Sequence, residues 1–397
     1  MTIKFYLVGG AVRDIVLGLE PRDYDYCVVG ASQQWFIENG FTQVGQDFPV
    51  FLHPVTAEEY AMARRERLGE GHTFELSVDN VSIEEDLKRR DYTMNAMALE
   101  VDYRLDGVCS IKNKSAIIDP YAGQRHLKAR ELVHTSEHFV EDPLRILRGA
   151  RLAAKYKLQI SPETKELCHH MIDQQMLARI TQPRIFLEIK KSFGYAHTSE
   201  FIENLLALRV NEYVEYLNIT NLRDRLAAVE FLEQQLNNEE IEALSSQIKL
   251  PDIALLKFAL LFHTRDIEFL KKNHIPPSFY ECCSILSKYQ HTVRQYLKSS
   301  TNERLRFLLA TKALHSSDLP QQYLWLGAML EQNLAIFTDS REQMQLDIQA
   351  LKAIDYESIR HSSALADIRT NIEEAQLSAL SQLKREEPQR AKISSRK

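Results

Sequence analysis

The spacing of apolar positions changes period once along the chain. Residues 3–8, Ile-Lys-Phe-Tyr-Leu-Val, are a short apolar run rich in β-branched and aromatic side chains. Such a run predicts a strand, and Gly9-Gly10 ends it. Residues 11–19 read as a short helix, 24–29 as a second strand, and 41–52 and 58–64 as two more. Residues 68–82, opening on Leu68-Gly69-Glu70-Gly71, predict a mobile loop. From about Glu141 the strand signals nearly vanish. Leu, Glu, Gln, Lys and Arg then recur at helical spacing, and Pro143, Pro162, Pro183, Pro251 and Pro276-Pro277 punctuate helices. The pattern predicts an α+β head at 1–140, a helical neck at 141–210 and an all-α body at 211–383. A basic tail around Pro388, residues 384–397, follows.

Composition narrows this picture a little. A chain of 397 residues exceeds one compact domain, and 44% apolar residues suffice for a sizeable core. The net charge of −6 lacks the overall basic balance common in nucleic-acid binders, which leaves room for a local basic groove. Cys27, Cys109, Cys168, Cys282 and Cys283 form no paired C-x-x-C framework and read as reduced thiols. The apolar run at the N-terminus is too short for a signal peptide. No stretch approaches the roughly 20 apolar residues of a membrane helix. The expected location is the cytoplasm, away from membranes.

Candidate chemistry falls in three constellations. The first is Gly9-Gly10-Ala11-Val12-Arg13-Asp14 with Asp23-Tyr24-Asp25. Glycines between a strand and a helix bring backbone N–H groups close to a phosphate, and Arg13 is placed to clamp it. Asp23 and Asp25, read as i and i+2 on one strand, share a face at the lip of the buried run Tyr26-Cys27-Val28-Val29. Two carboxylates there predict a Mg²⁺ site able to activate a hydroxyl and neutralise a leaving pyrophosphate. Glu59 is the candidate third carboxylate. A solvated edge strand is the competing reading.

The second constellation, Lys88-Arg89-Arg90-Asp91 before Asn95-Ala96, reads equally well as a triphosphate or sugar holder and as a surface charge cluster with Asp91 capping a helix. In the third, Asp142, Arg145, Arg148 and Arg151 recur every three residues from Glu141. On a helix they span roughly 14 Å at about 1.5 Å per residue, comparable to one nucleotide. An amphipathic helix with a charged outer face has the same spacing. Asp142 paired with Arg145 suggests more. A carboxylate accepts and a guanidinium donates. Cytosine and adenine each offer an amino donor beside a ring-nitrogen acceptor, whereas guanine and uracil do not. The pair therefore suits C and A without any nucleic-acid template.

At these residues the sequence resembles the class II tRNA nucleotidyltransferases, the bacterial CCA-adding enzymes. The matching segments are residues 7–14, Asp23-Tyr24-Asp25, residues 44–54, Asp86 to Asp91 with Asn95-Ala96, and 141–151, in family order over about 5–156. A weaker match, Pro183-Arg184 with Glu188, has an ordinary i,i+4 salt bridge as its rival. The resemblance implies a polymerase-β-like nucleotidyltransferase head, Mg²⁺ on Asp23 and Asp25, and ATP and CTP contacts through Gly10, Arg13, Arg90, Asp142, Arg145, Arg148 and Arg151. It also implies a tRNA partner held at its acceptor stem and T arm. Some family members carry a His-Asp phosphohydrolase domain. Here Leu260-Leu261-Phe262-His263-Thr264 puts Thr264 where the metal-binding Asp stands, so no phosphohydrolase is expected and His263 reads as a packed residue. The 68–82 loop is shorter than in close relatives, and in the family that loop helps the switch to adenine.

Three rivals stay open: a partial CC- or A-adding enzyme, a poly(A) polymerase, and a non-catalytic tRNA-binding scaffold. Gly45-Gln46-Asp47-Phe48-Pro49 lacks the polymerases' basic-Arg-Phe signature. Intact Asp23 and Asp25 argue against the scaffold.

Overall fold

The computed structural model describes residues 2–44, 50–68, 74–78, 80–104, 109–113, 116–236, 252–316 and 318–383. The stretch 45–49, the loop residues 69–73 and 79, and the tail 384–397 lie outside these. The chain divides into two compact units, Met1–Ile185 with Phe201–Tyr213, and Phe186–Glu200 with Val214–Lys397.

The first unit is built on a seven-stranded mixed sheet. Its strands are β1 (Lys4–Val8), β2 (Asp25–Val29), β3 (Thr42–Val44), β4 (Val50–Leu52), β5 (Glu59–Met62), β8 (Ala98–Asp102) and β9 (Ser110–Ile111), in the order β3-β4-β5-β2-β1-β8-β9. β1 lies antiparallel to β2 and β8, and β2 runs parallel to β5. Alternation sorts the side chains onto two faces. On one, Tyr6, Val8 and Cys27 pack against Val81, Ile83, Leu87 and Ala96. On the other the filling is aromatic: Tyr26 stacks on Tyr60 at 4.5 Å and Phe36 on Phe51 at 4.2 Å. Asp25, two residues from Cys27, belongs to the face that carries Ile83 and Leu87.

The segment expected to be a mobile loop is partly strand. β6 (Arg65–Leu68) and β7 (Phe74–Ser77) pair antiparallel, and helix α3 (Ile83–Lys88) follows. Ser82 and Glu85 close a reciprocal capping box there, which sets where that helix begins. Gly69 and Gly71 drew attention away from the alternating residues on either side.

Beyond the sheet lie α4 (Gly123–Ala129), α5 (Leu144–Tyr156), α6 (Pro162–Asp173), α7 (Gln182–Phe193) and α8 (Thr198–Ala207). Two-residue strands β10 (Glu131–Leu132) and β11 (Gln159–Ile160) join the ends of α4 and α5 in parallel. The described residues of the second unit are helical, around buried Phe258, Phe262, Cys283, Trp325 and Phe337. A buried ion pair, Arg304 to Asp347 at 3.1 Å, crosses that core, and the Tyr296 hydroxyl donates to the same carboxylate at 2.7 Å. All five cysteine thiols are free. Among the described residues no helix is long and apolar enough to cross a membrane.

Candidate active site

The turn after β1 places a cation against the backbone. Gly9 has φ +69°, a conformation glycine adopts without strain, and a Cβ there would stand 2.9 Å from Arg90 Nη1. Arg90 therefore lies over the turn. What holds it is Asp86, fully buried on α3, whose Oδ2 is 3.2 Å from Arg90 Nη2 and whose Oδ1 is 2.7 Å from Arg89 Nη2. Burial alone would raise the Asp86 carboxyl, but the two guanidinium groups hold it below the usual carboxylate range. Arg90 Nε is buried and has no hydrogen-bond partner. A buried donor left unmatched costs free energy unless something completes it.

Asp25 opens β2, and the strand starts there, not at residue 24. Asp23 sits in the bend before it, so the i, i+2 strand argument for the two carboxylates does not hold. They are neighbours because the chain turns into the strand, and both are exposed. Crowding by protein pushes the Asp25 carboxyl up, Arg90 opposes this, and Asp23 adds to it. Glu59 is the register partner of Asp25 across the parallel β2–β5 ladder. The described residues contain no group of three His, Cys, Asp or Glu able to hold a metal ion. The acid pair thus stands at the start of the interior strand β2, with Glu59 beside it at the start of β5.

Arg13 is not an open clamp. Its side chain is buried, Nη1 donates to Asn95 Oδ1 at 2.8 Å, and Nε donates to Asp14 Oδ1 at 2.9 Å. The guanidinium also lies 4.5 Å from the centre of the Tyr156 ring. Asn95 in turn donates to Asp91 Oδ1 at 3.1 Å, and Arg148 donates to Asp91 Oδ2 through Nη2 at 2.7 Å and Nε at 2.9 Å. One network, Arg13–Asn95–Asp91–Arg148, ties α1 (Gly10–Val16) to α5. Asp91 is thus neither surface charge nor ordinary cap. Its Oδ1 accepts the Tyr92 N–H at 2.8 Å, and Tyr92 precedes a 3₁₀ turn at Thr93–Asn95. Sequence reading missed Asp86 and Asn95 as organising groups. The buried partners of their neighbours were the missing signal.

Burial would raise the Asp91 carboxyl, yet Arg148, Asn95 and the Tyr92 N–H together hold it well below its ordinary value. A depressed carboxylate stabilises the fold above its unfolded value of about 4, and that contribution is lost as pH falls. Asp91→Asn should lower stability at pH 7 by about 1–2 kcal/mol, less than the ~3–5 of a fully buried pair because Arg148 is 38% exposed. Melting curves should show the deficit shrinking below about pH 4. A deficit independent of pH would refute the ion-pair account.

The third constellation is split by Pro143. A residue before proline is pushed out of the helical region, and Asp142 has φ −123° and ψ 97°. The helix begins at Leu144, so Asp142 precedes it and is not on it. Asp142 Oδ1 accepts the Leu144 N–H at 3.2 Å and lies 3.8 Å from Arg184 Nη2. Arg145 is buried and donates to the carbonyls of His138 at 2.7 Å and Arg89 at 2.6 Å. The structure therefore gives Asp142 and Arg145 separate partners. Arg151 is half-buried one turn beyond Arg148. Glu188 lies 3.2 Å from Lys191, three positions further along the helix.

In the second unit, His263 is buried after Ile253–Phe262. Burial, then the adjacent Arg225, push its imidazole down to about 4. Arg225 donates to Thr264 Oγ1 at 3.1 Å. A guanidinium fills the space beside His263 and Thr264.

The poly A polymerase head domain family matches residues 5–133, and the probable RNA- and SrmB-binding site of polymerase A matches 157–217. The CCA-adding enzyme of Coxiella burnetii (strain RSA 331 / Henzerling II) is 32% identical over 367 residues, 90% of this chain and 89% of that protein. The multifunctional CCA protein of Acinetobacter baumannii (strain SDF) is 45% identical over 209 residues, 51% of this chain and 48% of that protein. This chain's match therefore spans about half the length of the Acinetobacter relative. A solved CCA-adding enzyme, apo form II, shares the fold with a TM-score of 0.69 at 20% identity, over 97% of this chain and 89% of that one.

Proposed function

This chain belongs to the CCA-adding enzyme family, and on that premise we propose that it extends the 3′ end of tRNA with CCA, taking CTP and ATP as substrates. The observation that carries the assignment is Arg90, fixed by buried Asp86 over the Gly9 turn, near Asp25 and with an unmatched Nε. A phosphate lying on Gly9-Gly10 would complete that donor.

The family implies a divalent metal. Asp23 and Asp25 are paired, exposed, hard oxygen donors of the type that hold Mg²⁺ together with substrate phosphates. Mg²⁺ bound there would lower the barrier to attack by a terminal hydroxyl on the α-phosphate and stabilise the departing pyrophosphate. Glu59 adds negative charge one strand away. Gly10, Arg90, Arg148 and Arg151 supply the phosphate and sugar contacts, and the buried Arg13–Asn95–Asp91 network holds Arg148 in place before substrate arrives.

Asp142 and Arg145 read the base. The two carbonyl bonds use only part of the Arg145 donor set, so the guanidinium is held by the protein and still donates. Asp142 accepts from the amino group of C or A. Incubating tRNA that ends at the discriminator base with CTP, ATP or both tests the reading. Three-nucleotide extension is expected when both are present. Stopping after C, or tailing of unrelated RNA, would replace it with a partial enzyme or a poly(A) polymerase.

A further inference from the structure

We propose that Arg130 and Lys157 anchor the RNA phosphate backbone behind the reacting 3′ end; this rests on the tRNA reading above. α4 ends at Arg130 with φ 60° and ψ 37°, and α5 ends at Lys157 with φ 53° and ψ 50°. Both residues are in the left-handed region, and both are exposed. β10 and β11 follow directly and pair, and the Gln159 N–H donates to the Arg130 carbonyl at 2.8 Å. Two helix ends therefore lie side by side, each closed by a cation. Lys128 and Lys155 in the last turns add to the positive edge, against Glu131 and Glu163 nearby.

Cations stabilise helix C-termini, but the left-handed position that ends a helix strongly favours glycine. A long charged side chain at that position is disfavoured by the backbone. Arg209 shows one way the chain offsets such a choice: at φ 61° it pairs with Asp173 at 2.9 Å and Glu212 at 2.6 Å. Among the described residues Arg130 and Lys157 have no carboxylate at ion-pair distance. Two solvated cations in glycine-favouring positions point to an anion supplied from outside.

That anion is RNA and not the nucleotide. Lys157 lies six positions beyond Arg151, the last cation assigned to the nucleotide, about 9 Å further along and just past α5 at ~1.5 Å per residue. Tyr156, one residue before, bonds Asp14 at 3.2 Å and lies under Arg13, so the anchor is rigidly coupled to the site. Contacts of this type position a nucleic acid without reading its sequence.

The test is the double variant Arg130→Gly with Lys157→Gly in the full chain, assayed on tRNA lacking its CCA end. Glycine fits both backbones, so the melting temperature should hold or rise. KM for tRNA should increase about ten-fold at 0.15 M salt while KM for CTP holds. The slope of log KM against log salt should fall by about 1.4–1.8, the loss of two phosphate contacts. Arg130→Lys with Lys157→Arg should restore both. An unchanged tRNA KM and salt slope in an enzyme whose wild type adds CCA overturns the anchor, as does a parallel rise in both KM values with a fallen melting temperature. A wild type that adds no nucleotide to tRNA overturns the function itself.

Discussion

Asp25→Ala is expected to abolish nucleotide incorporation, by at least about 10³-fold, with tRNA binding and the melting temperature nearly unchanged. The two halves of this expectation have different origins. Asp25 is exposed at the first position of β2, so its side chain contributes little to the core, and the backbone pairing with Val8 and Glu59 survives truncation. Removing a carboxylate that is crowded by protein and by Asp23 relieves repulsion, which favours the fold slightly. The same crowding makes the pair a cation site, and losing one of two hard ligands removes the charge that stabilises the transferring phosphoryl group. Single-turnover extension of tRNA, with a filter-binding measurement in parallel, reads both. Incorporation that survives in the variant would move the metal site away from β2.

Much of the head was legible because its signals are local. The apolar run at 3–8 followed by Gly9-Gly10 is a strand and a turn within the span of a few side chains, and β1 and α1 lie where that pattern puts them. The arginine spacing after Asp142 likewise marks a real helix. The site's wiring was not legible, because its bonds join distant positions. Nothing around Arg145 announces that the carbonyls of His138 and Arg89 will receive its donors. Asp86 reads as one more acid on a short helix until burial makes it the counter-charge of two arginines. Arg13, read as a phosphate clamp, spends its donors on Asn95 and Asp14. One error was local and avoidable: the pre-proline rule excludes Asp142 from the helix.

Gly149→Ala should cost the enzyme both stability and rate, against the ordinary sign of that substitution. In a helix interior alanine is favoured over glycine by about 1 kcal/mol. Gly149 is inside α5, yet a Cβ there would stand 1.9 Å from the Tyr92 hydroxyl, and Tyr92 is fully buried. The hydroxyl donates to the Arg145 carbonyl at 2.8 Å, and its aromatic ring packs on Phe139 at 5.3 Å. Neither group can move without breaking something. If Tyr92 shifts, its hydroxyl is left unpaired, at about 1–3 kcal/mol. If α5 shifts, the overpacking costs a similar ~1–3 kcal/mol and carries Arg145 and Arg148 with it. Offset by the helix preference, the net loss is up to about 2 kcal/mol, up to roughly 8 °C for a unit of this size. The catalytic loss is separable from it. Arg148 is held by Asp91, the residue next to Tyr92, so a displacement near 1 Å misaligns the cations on both sides of the nucleotide and should lower incorporation about 10²-fold. Tyr92→Phe supplies the decisive control. In the double variant Gly149→Ala with Tyr92→Phe, the hydroxyl that collides is gone. Stability and rate should both recover part of the way. A single Gly149→Ala variant with raised melting temperature and full activity would show that α5 is not clamped by Tyr92.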